Sequence, residues 1–227
     1  MAARILMCPP DHYGIEYEIN PWMNRSLGAL RELAFSQWKS LHAALVGLGV
    51  QVEKLAPQQG LPDLVFTANA GLVFGNRFLS SRFKHEVRAK ESPIFDAWFA
   101  AAGFAVEHLP ETMYHEGAGD ALFCGDVLFA GYRQRSDALA HQWVADHFGV
   151  RCLPLELVNP RFYHLDTCFC PLAPGVAIYF PDAFDAYGKK VLETHVPTLI
   201  DEFLKAGGSA KCLTLRLDGE EAAGWKR

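Results

Sequence analysis

Ala121-Leu122-Phe123-Cys124-Gly125-Asp126-Val127-Leu128-Phe129-Ala130 decides the fold. Two apolar runs flank a Gly-Asp pair, and that pattern predicts a hairpin closed by a two-residue turn. A helix is predicted after it, from about Ser136 to Phe148, with Leu139, Trp143 and His147 on one stripe. Gly149 stops that helix, and Val150 to Leu155 returns as a strand.

The same unit is written twice more. Leu72 to Phe74, the turn Gly75-Asn76, and Arg77 to Leu79 make the earlier hairpin. A helical stretch follows through Val87 and Ser92-Pro93, with Ser92 as N-cap and Pro93 in the first turn. Phe95, Trp98 and Phe99 form its apolar face, Gly103 ends it, and Phe104 to Val106 is the returning strand. The later copy runs from Thr167 to Pro171, turns at Pro174-Gly175, continues through Phe180, and has its helix between Phe184 and Val196. Upstream, Ile5 to Cys8 reads as a strand stopped by Pro9-Pro10. A long helix carries Leu27, Leu30, Ala34, Trp38, Leu41, Leu45 and Leu48, and Val50 to Leu55 reads as another strand.

Strand, strand, helix, strand thus recurs with a period of about 45 to 50 residues, in the range of propeller-like arrays. The expectation is an α/β protein with a single domain over 1–227. The rule breaks near Ile200–Asp201, where a returning strand and about one further unit are missing.

With 227 residues, 50% hydrophobic and 21% charged, the chain is long enough for a sizeable core. A net charge of −5 supplies no basic stripe, which argues against nucleic acid as partner. No apolar run reaches the length of a membrane span, and the start has no long apolar core of a leader peptide. Cytoplasm is the expected location. The six cysteines are scattered among apolar neighbours and read as reduced thiols.

Polar clusters fall at the same phase of each unit. Asn69 stands just before the first hairpin, Glu116 and Asp120 just before the second, and His164 and Asp166 just before the third. Repeats that surround an axis would bring these positions together. If His164-Leu165-Asp166-Thr167 is extended, His164 and Asp166 share one face and offer an acid/base and an anchor for a cation. A surface pair at a strand entry is the alternative. Near the end, Gly207-Gly208-Ser209-Ala210-Lys211-Cys212 lets the backbone turn sharply and expose Cys212 as a thiolate nucleophile; a buried core thiol is the alternative. A zinc site from His164, Cys168 and Cys170 is a rival by residue type, but no second ligand pair has the usual spacing.

Four motifs together resemble the guanidino-group-modifying enzymes, the superfamily of dimethylarginine dimethylaminohydrolase, arginine deiminase and amidinotransferase. They are Pro62 to Asn69, His115 to Asp120, His164 to Thr167 and Gly207 to Cys212, in the family's order. The resemblance implies a pseudo-symmetric α/β propeller, the pentein fold, of ββαβ modules around a central active site. It implies hydrolysis of the guanidino group of arginine or an Nω-substituted arginine, without metal or cofactor. Cys212 then resembles the nucleophile that attacks the guanidinium carbon, giving a thiouronium intermediate. His164 resembles the acid for the departing amine and then the base for water, and Glu116 the carboxylate that orients it. Asp166 and Asp63 look like substrate anchors.

Asn69 departs from the aspartate many relatives carry; with Asn20 it looks more like the arginine dihydrolases, which carry arginine on to ornithine. Arg82, Arg88 and Arg133 are candidates for the substrate's carboxylate. The chemistry agrees with the residues, since carboxylates complement the planar N–H fork of a guanidinium. Its resonance-stabilised carbon calls for a thiolate and a proton donor. The partner is a small guanidino compound, and a homo-oligomer is left open. Two alternatives remain: an amidinotransferase, with an amine in place of water, and a non-catalytic propeller lacking one blade.

Overall fold

The computed structural model describes residues 3–196 and 215–216. In chain order the elements are β1 (Arg4–Met7), α1 (Arg31–Gly47), β2 (Gln51–Lys54), β3 (Gly71–Phe74), β4 (Arg77–Ser80), α2 (Glu86–Ala89), α3 (Ser92–Ala101) and β5 (Ala105–Glu107). Then come β6 (Ala121–Cys124), β7 (Val127–Tyr132), α4 (Ala138–Phe148), β8 (Arg151–Glu156), β9 (Phe169–Ala173), β10 (Val176–Tyr179), α5 (Ala186–His195) and β11 (Leu215–Arg216). It is an α/β fold. Among the described residues no helix is long and apolar enough to cross a membrane.

Among the described residues, three of the four small sheets share one pattern. β3 pairs antiparallel with β4 and β4 parallel with β5; β6, β7 and β8 repeat this arrangement. The turns are the expected two-residue ones, with φ of +60° at Gly75, +72° at Gly125 and +71° at Gly175, a region glycine enters without cost. The same pattern is assembled from the two ends of the chain: β11 pairs antiparallel with β1, and β1 pairs parallel with β2 across α1. Among the described residues the β9–β10 hairpin has no third strand. The break expected at Ile200–Asp201 lies outside those residues.

Packing explains the elements and corrects several boundaries. Phe78 of β4 stacks on Phe99 of α3 at 3.6 Å between ring centres, within a core that includes Leu6, Leu64 and Phe95. Each such ring contributes about 1.5–3 kcal/mol when fully buried. Ser92 is the first residue of α3 and not its N-cap, because its hydroxyl donates to the Ser81 carbonyl at 2.9 Å. Ser136 likewise lies outside α4, drawn away by side-chain bonds. The predicted stripe of α4 is misphased: Leu139 is 70% exposed, while Ala140, His141, Val144 and Ala145 face the core. α1 starts after Leu27 and Leu30, which remain exposed, and of its residues only Trp38 is buried.

Candidate active site

Three buried 3-10 turns, Thr67–Ala70, Gly117–Gly119 and Leu165–Thr167, stand directly before β3, β6 and β9 and pack against one another. Glycine allows that approach. Gly117 has a φ of +61°, and a Cβ there would lie 2.6 Å from the Gly71 carbonyl oxygen. A Cβ on Gly119 would collide with the Asn69 amide. The expectation of an extended His164–Thr167 is overturned: His164 is extended, but Leu165–Thr167 is a turn. The Thr167 hydroxyl and N–H both donate to the His164 carbonyl, at 2.6 and 3.2 Å, and curl the chain. His164 and Asp166 are both buried by that turn and not by a shared strand face.

At the centre, His164 Nε2 lies 2.7 Å from Glu116 Oε2. Arg135 Nη1 donates to the same oxygen at 3.2 Å, and the Lys84 N–H donates to Oε1 at 3.1 Å. Glu116 is completely buried. Burial alone would raise its carboxyl; the hydrogen bond and charge of His164, with Arg135 and Arg88 nearby, outweigh it and hold the group well below the usual carboxylate range. An ionised Glu116 fixes the tautomer, because Nε2 must carry the proton and leaves Nδ1 as the other working nitrogen.

Beside this pair is a second buried group. Arg88 donates to both oxygens of Glu91, at 2.9 and 2.7 Å, to Asn69 Oδ1 at 2.9 Å, and to the Asp63 carbonyl at 3.2 Å. Burial would lower the Arg88 pKa, but Glu91 and Asp63 outweigh it and keep the guanidinium charged. Burial pushes the Asp63 carboxyl up, against the pull of Arg88. The Asn69 amide orientation is chemically determined: an arginine N–H can only donate, so the oxygen faces Arg88, and Nδ2 has no hydrogen-bond partner among the described residues.

Of the other candidates, Asn20 sits at the rim. Its Oδ1 accepts from Trp22 N and Met23 N, while the neighbouring Ile19 carbonyl accepts from Arg135 Nη2 at 2.8 Å. Arg82 is exposed, with its guanidinium 5.9 Å over the Tyr114 ring. Arg133 pairs with Glu156 at 2.5 Å on the surface. Cys212 lies outside the described residues. Sequence reasoning gave no role to Arg135, Glu91 or Ser136, all buried against the predicted residues. The one available signal was phase: Arg135 follows the second hairpin much as Arg82 and Arg88 follow the first.

These features define an α/β protein in which successive strand-helix units bring a buried imidazole, several acids and an amide to one place. A family model described as N,N dimethylarginine dimethylhydrolase, eukaryotic, matches residues 15–195. The chain belongs to that dimethylarginine dimethylhydrolase family. It is similar to the bifunctional arginine dihydrolase/ornithine cyclodeaminase ArgZ of Synechocystis sp., at 42% identity over 94% of this chain and 37% of that protein. It is also similar to the N(G),N(G)-dimethylarginine dimethylaminohydrolase of Mycobacterium tuberculosis, at 37% identity over 87% of this chain and 65% of that protein. The chain therefore spans less than two thirds of the length of these curated relatives. The crystal structure of the N-terminal domain of ArgZ bound to substrate, described as an arginine dihydrolase from the ornithine–ammonia cycle in cyanobacteria, matches with a TM-score of 0.88 and 40% identity. That match covers 96% of this chain and 98% of that one.

Proposed function

We propose that this protein hydrolyses the guanidino group of arginine, in the manner of an arginine dihydrolase, through a cysteine-linked thiouronium. The observation that carries the reading is the Asn69 amide, whose oxygen accepts from Arg88 and keeps a second lone pair for a substrate N–H, and whose Nδ2 has no hydrogen-bond partner among the described residues. An aspartate there could only accept from a guanidinium. A donor also suits the ureido oxygen of the first product, so a second hydrolysis on to ornithine is supported.

In each round the Cys212 thiolate attacks the central carbon and His164 gives a proton to the departing ammonia. His164 then takes a proton from water, which attacks the carbon and releases the sulfur. The first round leaves citrulline. The second, through a thiocarbamate on Cys212, leaves the carbamic acid of ornithine, which loses carbon dioxide to free the amine. Glu116 orients the imidazole and stabilises its charged form. Asp166 and Asp63 are assigned to the cation, and Asn20 to the rim. Arg82 and Arg133, the carboxylate candidates, have their guanidinium groups near Tyr114 and Glu156. Cys212 stands three positions before β11, and Asn69 two before β3; β11 touches the Thr67–Ala70 turn, which supports Cys212 at this centre.

We read the repeated units as blades of one α/β propeller over 1–227, its last blade closed by both chain ends, with one unit shortened near Ile200–Asp201. The alignment with ArgZ runs over 265 positions and exceeds the 227 residues of this chain, which supports an internal shortening. Among the described residues five of the six cysteines are present, all as free thiols, which supports a cytoplasmic location.

Product analysis tests the reading. With arginine, the full chain is expected to release ornithine, carbon dioxide and ammonia, and Asn69→Asp to stop at citrulline. Cys212→Ala is expected to abolish turnover. Consumption of neither arginine nor dimethylarginine refutes the hydrolase, and amidino transfer to added glycine refutes water as the acceptor.

A further inference from the structure

Asp120 has no part in the chemistry above, yet it is completely buried with both oxygens engaged. Oδ1 accepts the Leu165 N–H at 3.0 Å, and Oδ2 accepts the Ser136 hydroxyl at 2.6 Å. The Ser136 oxygen in turn accepts the Glu116 N–H at 3.0 Å. The directions of these bonds are fixed, because a backbone N–H only donates and the hydroxyl has a single proton to give. One carboxylate therefore grips the main chain of Glu116 through a hydroxyl, and grips directly the main chain beside His164, 45 residues further on.

The surroundings are built tightly around this linkage. The Gly131 N–H donates to the Asp120 carbonyl at 2.8 Å, and the Asp120 N–H donates to the Gly117 carbonyl at 3.1 Å. A Cβ on Gly131 would lie 2.9 Å from Leu165 Cβ and 3.3 Å from Asp120 Oδ1. Burial pushes the Asp120 carboxyl up to about 6, although the charge of His164 and the Ser136 bond oppose this. Burying a carboxylate is costly, and an apolar residue would pack at less expense. The two catalytic candidates come from different units, and the Leu165 N–H bond to Asp120 ties the turn that bears His164 to the unit that bears Glu116. The Asp120–Ser136 linkage supplies a rigid reference between them.

We propose that Asp120, acting through Ser136, is a positioning residue that sets the distance and angle between the Glu116 carboxylate and the His164 imidazole. The inference rests on the reading that those two groups work as a pair; Asp120 itself touches no reacting atom. An amide cannot replace it. Asparagine would still accept from Leu165 but would turn an N–H toward Ser136, whose proton would then lack an acceptor.

The test uses the full chain with Ser136→Ala, Asp120→Asn and the double variant. Each single change is expected to lower kcat for arginine about ten- to a hundredfold, with KM held within about threefold. The double variant falls no further than the worse single one, because both break the same linkage. In Ser136→Ala the Glu116 amide exchanges faster with solvent, and the nitrogen-15 resonances of the His164 ring move. Wild-type kcat in Ser136→Ala, or losses that multiply in the double variant, overturns the proposal. If the wild-type chain turns over no guanidino compound, the proposed reaction fails, and the two spectroscopic readouts still decide the linkage: unchanged amide exchange and ring resonances in Ser136→Ala overturn it.

Discussion

The molecule contains the same three residue types arranged in two very different settings. Glu116, His164 and Arg135 meet in the interior, with side-chain exposures of 0, 3 and 3%. Glu107, His147 and Arg77 meet on the surface, at 25, 34 and 33%. The distances are alike, 2.7 and 3.2 Å inside against 2.6, 2.8 and 2.6 Å outside. The proton arrangements differ. Outside, His147 Nε2 also lies 2.6 Å from Arg77 Nη2, and one nitrogen cannot donate to Glu107 while accepting from Arg77. Water can absorb that conflict at a surface. Inside there is no such relief, and every bond has one consistent direction. Burial is what turns this trio from an ion pair into a device that fixes a tautomer.

Between the two clusters, the largest expected effect comes from Glu116→Gln. Losing the carboxylate that orients the imidazole is expected to cut kcat by about a hundredfold or more, the usual scale of general acid–base assistance. It also leaves Arg135 buried without its counter-charge, a break worth about 3–5 kcal/mol. Steady-state turnover of arginine and urea unfolding measure the two losses. A Glu116→Gln protein as active and as stable as wild type would erase the distinction between the two clusters.

Acid unfolding sharpens the comparison next. His115 and His141 lie behind Glu116, with ring centres 5.2 Å apart. Burial drives His115 down to about 3, helped by its neighbour His141, and drives His141 down to about 4. Both are therefore neutral when folded and protonate near pH 6.5 when unfolded. The stability they contribute is present above pH 6.5 and is lost as pH falls toward 4 and 3. The slope is about 1.4 kcal/mol per pH unit for each ring. The surface carboxyl acts later. The hydrogen bond from Arg77, then that from His147, hold Glu107 down to about 2 against a partial burial that would raise it, so its contribution fades only between pH 4.5 and 2. Unfolding free energies followed from pH 8 to 3 are expected to begin falling at 6.5, and His141→Gln is expected to flatten that limb. A limb that begins below 4.5 would give the surface cluster the larger part.

Much of this was written locally, and the misses have non-local causes. The hairpins are legible because Gly75, Gly125 and Gly175 each stand between apolar runs, and only a tight turn uses glycine that way. The phase of α4 was not legible: bulk favours Leu139 and Trp143, but Ala140 and Val144 let the helix lie close to its sheet. Arg135 was hidden by its neighbour. Arg133 has a φ of +93°, a conformation that no arginine in a sequence announces, and it redirects the chain so that Arg135 goes inward while Arg133 meets Glu156. The turn at Leu165 depends on an acceptor at Asp120, which no window around His164 contains. Residue types at the centre were readable; the bonds that aim them were not.

The smallest expected effect completes the contrast. Glu107→Gln removes the charge that Arg77 and His147 share while leaving an amide of the same shape. The guanidinium keeps its place over the Phe148 ring, 4.5 Å from the centroid, and gains hydration where it loses the carboxylate. Exposed pairs contribute about 0–1 kcal/mol, so urea unfolding at pH 7 is expected to shift by no more than that, and turnover of arginine to stay at the wild-type rate. Added salt should shrink the difference further, since ions screen a surface pair and barely reach a buried one. A salt-independent loss above about 2 kcal/mol would mean that the β5–α4 contact is desolvated in solution, and the environment, not the chemistry of the trio, would have to be redrawn.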